Sequence, residues 1–163
     1  MSSPKPNFER MMHIIESVFA TREDPNQLQV NDRVIKKLEA LHPDCLSEVS
    51  NDKGPLIWVL LIPTTQHIMS DFISGKISEQ ELLDQTPEGI LYDSIYLCSA
   101  TALPEMREKG ETKKLCLKAI ASIREQHPIH SLFVWAFSAE GEKLAEALAR
   151  ATHLPLLKAV HNR

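Results

Sequence analysis

The stretch "TALPEMREKGETKKL", Thr101 to Leu115, gathers cations around a lone glycine: Arg107 and Lys109 precede Gly110, and Lys113 and Lys114 follow it as a helical pattern begins at Glu111. The chain spends only five glycines in 163 residues. N–H groups in the first turn of a helix have no partner inside the helix, and the dipole adds roughly half a positive charge there, so backbone alone can hold a phosphate. A glycine leaves room for close approach, and an arginine fork matches phosphate oxygens. Neither GxxxxGK[ST] nor GxGxxG occurs, which removes the P-loop and dinucleotide classes. The same residues also suit a solvated loop with a glycine at a helix start.

Other reactive side chains form weaker patterns. His127 and His130 bracket a helix stop, and His42, Asp44 and Cys45 lie close together, but neither set has a partner pair at zinc spacing, so no metal is expected. Cys45, Cys98 and Cys116 include no CxxC pair and are read as buried thiols. Cys98, in an apolar strand pattern, would be a nucleophile only with a histidine beside it in space. His67 and Asp93 are two candidate bases near strand ends, and one sequence does not rank them, so no catalytic residue is assigned.

These residues sit in a succession of helices and strands. Met11, Met12, Ile15 and Phe19 form a helical stripe with Asn7 as its cap, and Val34, Ile35, Leu38 and Leu41 form a second, capped at Asn31 or Asp32 and ended by His42-Pro43. Between them runs a polar loop containing Asp24-Pro25. "CLSEVS" (Cys45 to Ser50) and "LIWVLLI" (Leu56 to Ile62) predict a hairpin, the second strand covered on both sides. Ile68, Met69, Phe72 and Ile73 suit a short helix, and Ser78 with Glu81 has capping-box spacing before another. Asp93 to Ala102 reads as a strand, Glu111 to Gln126 as a helix closed by Pro128, "SLFVWAF" (Ser131 to Phe137) as an apolar strand, Leu144 to Ala151 as a helix, and "LPLLKAV" as a last strand.

The residues from Ser94 to Phe137 resemble the acyl-CoA-binding half of the GNAT family N-acetyltransferases, in which a strand runs through proline into Arg/Gln-x-x-Gly-x-Gly/Ala at a helix start. Pro104, Arg107 and Gly110 match that signature, and Lys113, Lys114 and Leu115 match its basic and apolar continuation. Thr112 stands where the family prefers a second Gly or Ala, and Glu108 and Glu111 bring carboxylates into the loop. Either alignment of the following helix puts an alanine, Ala145 or Ala149, where many members carry a proton-donating tyrosine.

The resemblance implies a mixed α/β fold with a central, splayed, mostly antiparallel sheet flanked by helices. It implies one domain over residues 1–163; the segment at about 64–91 departs from the family, being longer than the tight connection expected between its third and fourth strands, and reads as a helical insertion that would serve as an acceptor lid, ordinary core or a homodimer surface. Acetyl-CoA would be the cosubstrate. The backbone of Ala100, Thr101 and Ala102 would pair with its pantetheine arm, and Arg107, Glu108, Lys109, Gly110, Glu111, Thr112 and Lys113 would surround the pyrophosphate. The reaction implied is direct transfer of an acetyl group to the amine of a small molecule or peptide. The alternative is a GNAT-like binding or dimerisation module without catalysis.

Composition agrees with a globular chain of this size, at 43% hydrophobic and 25% charged residues. A net charge of −4 argues against nucleic acid, whose phosphates need a basic face. The longest apolar run, Leu56 to Ile62, is far too short to cross a bilayer, and the opening "MSSPKPNFER" has no apolar signal core, so a cytoplasmic protein without a membrane partner is expected.

Overall fold

The apolar run around "LIWVLLI" becomes a strand buried on both faces. The computed structural model describes residues 6–22, 31–107, 109–135 and 138–159, with backbone alone for 16–22; in it, Gly54–Thr64 (β2) is buried at nearly every position. β2 pairs antiparallel with Leu46–Asn51 (β1) on one edge and with Ser94–Ala102 (β3) on the other. β3 pairs parallel with Ser131–Val134 (β4), and β4 parallel with Leu156–Lys158 (β5). The sheet order is therefore β1-β2-β3-β4-β5, with the antiparallel ladders the longer ones. The expected strand Ser131 to Phe137 ends at Val134, and Ala136 and Phe137 lie outside the described residues, as do the Asp24-Pro25 loop and Val160.

Among the described residues six helices flank this sheet: Pro6–Arg22 (α1), Asp32–Leu41 (α2), Gln66–Ile73 (α3), Glu79–Gln85 (α4), Glu111–Gln126 (α5) and Ala139–Thr152 (α6), with a 3-10 turn at Pro104–Met106. Their ends follow local chemistry. Asn31 Oδ1 accepts the Val34 N–H at 3.0 Å, and Ser78 and Glu81 form the expected capping box, each bond 3.1 Å. Asn7 does not cap α1, because Pro6, which needs no partner for an N–H it lacks, already lies inside the helix. Asn7 is buried instead, and its amide donates to Asn51 Oδ1 at 3.1 Å, tying α1 to the β1–β2 turn.

Phe8 on α1 meets Trp58 edge-on at 5.8 Å, and Phe72 on α3 meets Tyr96, which lies opposite Ile62. Trp58 and Ile62 share a face by the two-residue period of a strand, so α1 and α3 cover the same side. The alternate residues Ile57, Val59 and Leu61 are buried as well, which requires a second layer, and α2 and α5 are the other helices packed against β2. Ile68, Met69 and Phe72 are thus core residues. Among the described residues no helix is long and apolar enough to cross a membrane.

Behind the end of α5, His127 Nδ1 accepts the Tyr92 N–H at 3.2 Å and its ring lies 6.1 Å from that of His42. Burial, and then the charge of His42, hold the His127 imidazole below its ordinary 6.5. A group with a depressed folded value favours the neutral fold, so its contribution is complete above pH 6.5 and declines as pH falls towards the folded value. Urea unfolding should show lower stability at pH 5 than at pH 7.5, and His127→Gln should flatten that slope; an unchanged slope would remove His127 as its source.

Candidate active site

The site is built where β3 parts from β4. Their parallel ladder runs only from Ser94↔Ser131 to Leu97↔Val134, whereas β3 continues to Ala102 against β2. From Ser99 onward β3 therefore has a free edge among the described residues, and alternate residues of a strand turn N–H and C=O towards that side. The split begins at an irregularity: Leu60 faces Ser99 and Leu61 faces Leu97, so the register shifts by one residue and Cys98 is the extra residue of a bulge. Such a bulge bends the strand and re-aims a side chain.

The free edge leads into the cationic loop. Ala100 is exposed, Thr101 and Ala102 are half-buried, and the 3-10 turn carries the chain to Gly110, the N-cap of α5. Gly110 adopts φ 76°, a left-handed conformation, and offers no side-chain cap, which leaves the first-turn N–H groups of α5 without a side-chain acceptor from that position. A Cβ at Gly110 would meet nothing within 4 Å, so the protein itself needs this glycine for its backbone angle and not for space. Arg107, Lys109, Lys113 and Lys114 are exposed around it, and Thr112 is half-buried. Glu111 is drawn into a 3.4 Å ion pair with Lys114, while Glu108 lies outside the described residues.

The loop is anchored from α1. Arg10 donates two hydrogen bonds to the Glu105 carboxylate, at 2.8 and 2.6 Å, and holds that carboxyl down at about 2. Both residues are solvent-accessible, so this bidentate pair works mainly as a positioning clamp. Glu105→Gln should loosen the loop, read as faster amide exchange from Met106 to Lys113 with little change in global unfolding. Equal exchange rates would show that the clamp positions nothing.

The reactive residues named from sequence are scattered. The His67 side chain is 86% exposed, 3.6 Å from Asp71, and Asp93 precedes the opposite end of β3, about 15 Å along the strand from Cys98. Asp93 instead lines a cavity of about 280 Å³ with Gln66, Met69, His130 and Ser131. Cys45 and Cys116 are buried, their thiols pushed up to about 12 by desolvation. Cys98 departs from the buried-thiol reading: it is partly exposed at the bulge, and its Sγ donates to Glu79 Oε2 at 3.8 Å. Among the described residues no group of three or more His, Cys, Asp or Glu is arranged to hold a metal ion.

Glu79 escaped the sequence reading. It is the first residue of α4 and only 2% exposed, and the Tyr96 hydroxyl donates to its Oε2 at 2.5 Å. Its signal lay in the helical spacing, because Glu79, Leu82 and Leu83 stand at i, i+3 and i+4 and all three are buried. A carboxylate on an otherwise apolar stripe marks a place where the fold tolerates a costly group.

No protein-family model and no curated protein matches the chain. Among solved structures, the NatB acetyltransferase complex bound to a bisubstrate inhibitor is similar to it with a TM-score of 0.50 and 14% identity over 77% of this chain. The match takes in 61% of that chain, so the likeness spans less than two-thirds of its length. The NatB complex bound to CoA and MES gives a TM-score of 0.48 and 16% identity, over 77% of this chain and 70% of that one. At 14% identity the first of these likenesses is one of fold alone: the chain is mixed α+β with a GNAT-like fold, a five-stranded, mostly antiparallel sheet flanked by helices.

Proposed function

We propose that the whole chain acts as one acyl-CoA-dependent N-acetyltransferase domain, with the cosubstrate lying in the split between β3 and β4. The observation that carries this reading is the continuity of the free β3 edge with the open N-terminus of α5. The pantetheine arm, which carries amides, would pair with Ala100, Thr101 and Ala102 like an added strand. The pyrophosphate would meet the N–H groups at the start of α5, with Arg107, Lys109 and Lys113 supplying charge. That order brings the thioester to the Cys98 bulge, where strand N–H groups polarise its carbonyl while an amine attacks. The α3–α4 segment would then act as an insertion bordering the acceptor, a small-molecule or peptide amine.

Titration calorimetry with acetyl-CoA tests the reading. Saturable binding is expected, and Arg107→Ala should weaken it about tenfold or more, the loss typical of a charged hydrogen bond. No heat at millimolar acetyl-CoA would refute it. The second reading, a module that does not catalyse, is favoured by Ala145 and Ala149, both buried on α6 where the family's hydroxyl would stand. It predicts binding without release of CoA.

A further inference from the structure

Transfer of an acetyl group to an amine must move a proton, and the parting of β3 from β4 has a carboxylate directly behind it. Among the described residues the Glu79 Oε2 accepts hydrogen bonds from the Tyr96 hydroxyl at 2.5 Å and from the Cys98 thiol at 3.8 Å. Tyr96 is held rigidly, its ring stacked on Phe133 of β4 at 5.0 Å and tilted against Phe72 of α3 at 4.9 Å. Cys98 is the partly exposed member of the three and sits on the bulge, so a group lodged at the apex of the split lies one side chain away from the carboxylate.

Stability alone gives a poor account of this arrangement. An apolar residue at position 79 would extend the stripe of Leu82 and Leu83, whereas a carboxyl there carries a desolvation cost. The two alternatives named from sequence lie elsewhere, His67 exposed on α3 and Asp93 at the other end of the strand.

We propose that Glu79 is the catalytic base of this site, with Tyr96 as the residue that positions it; the inference rests on the acyltransferase reading. The amine nitrogen forms a bond to the thioester carbonyl carbon, and Glu79 takes the proton that nitrogen must lose. The tetrahedral intermediate then collapses with cleavage of the carbon–sulfur bond. The same proton passes from Glu79 to the departing sulfur, so free CoA and the amide leave and the carboxylate is restored. One group thus takes both parts of the proton transfer, which removes the need for a tyrosine on α6.

The test compares wild type, Glu79→Gln, Glu79→Asp, Tyr96→Phe and His67→Ala. Acetyl-CoA affinity is measured by calorimetry and CoA release by chromatography, with a pool of tetrapeptides bearing free α-amines, with spermidine, and with water as acceptors. Glu79→Gln, nearly isosteric, should keep its affinity within threefold of wild type and lose at least about 100-fold in CoA release, the usual range for a general base. Glu79→Asp should retain partial activity, Tyr96→Phe should lower kcat about tenfold without raising KM for acetyl-CoA, and His67→Ala should match wild type. A Glu79→Gln rate within tenfold of wild type overturns the role of Glu79 and leaves the acyltransferase reading standing, whereas a wild type that binds acetyl-CoA yet releases no CoA to any acceptor overturns the role of Glu79 and supports the module that does not catalyse. A wild type that binds no acetyl-CoA overturns the acyltransferase reading first. Should Glu79→Gln fold poorly by thermal melting, the kcat of Tyr96→Phe decides: an unchanged value rejects the arrangement.

Discussion

Phe72→Ala should lower the unfolding free energy by about 3–5 kcal/mol, the range for emptying a buried phenylalanine site. Phe72 is wholly buried and, among the described residues, meets Tyr96 of β3 at 4.9 Å, Phe133 of β4 at 6.0 Å and Trp135 just beyond β4 at 6.0 Å. Removing it withdraws α3 from the parallel β3–β4 pair, where only four residue pairs hold the strands together. For a chain of this size the loss corresponds to a drop of about 6–20 °C in melting temperature. Phe72→Leu, which keeps most of the volume, should cost less than half as much. A loss below about 1 kcal/mol for the alanine variant would mean that α3 does not close this face.

The same ring explains why much of the fold was legible. Phe72 stands with Ile68 and Met69 at helical spacing, and a stripe of that kind must face a core whatever that core is. β2 was readable as covered on both faces because its apolar residues run without alternation, and α5 was bounded correctly because Gly110 and Pro128 stop a helix by backbone geometry alone. Asn7 was misread because a cap and a buried amide look alike in sequence: both are polar residues beside an apolar stripe, and only the β1–β2 turn, more than forty residues away, distinguishes them. The strand "SLFVWAF" is apolar throughout, but pairing stops at Val134, since a ladder ends when the neighbouring strand turns away, which composition does not record.

The site divides in the same manner. Arg107, Gly110 and the lysines belong to one contiguous motif, so spacing along the chain was enough to single them out. The bulge at Cys98 depends on the partner register in β2, and the Glu79–Tyr96 hydrogen bond joins residues seventeen positions apart across two elements. Neither leaves a local pattern beyond the charged residue on the buried side of α4. His67 and Asp93 drew notice as titratable groups near strand ends, but a strand has two ends, and the sequence does not say which one opens.

Gly110→Glu should weaken acetyl-CoA binding at least about 100-fold, equivalent to about 2.7 kcal/mol, and the size of that loss can be separated from damage to the fold. Gly110 has φ 76°, so any side chain there carries left-handed strain of about 1–2 kcal/mol. A Cβ meets nothing within 4 Å, so alanine and glutamate should suffer that strain alike and lower the melting temperature by similar amounts. They differ only in what they project into the space ahead of α5. Alanine adds a methyl group and should reduce affinity by less than tenfold. Glutamate adds a carboxylate that competes for the first-turn N–H groups and repels the pyrophosphate from the helix end that would hold it. Equal affinities for the alanine and glutamate variants, with equal losses of stability, would show that phosphate does not lie at the start of α5 and would leave Gly110 with a purely conformational role.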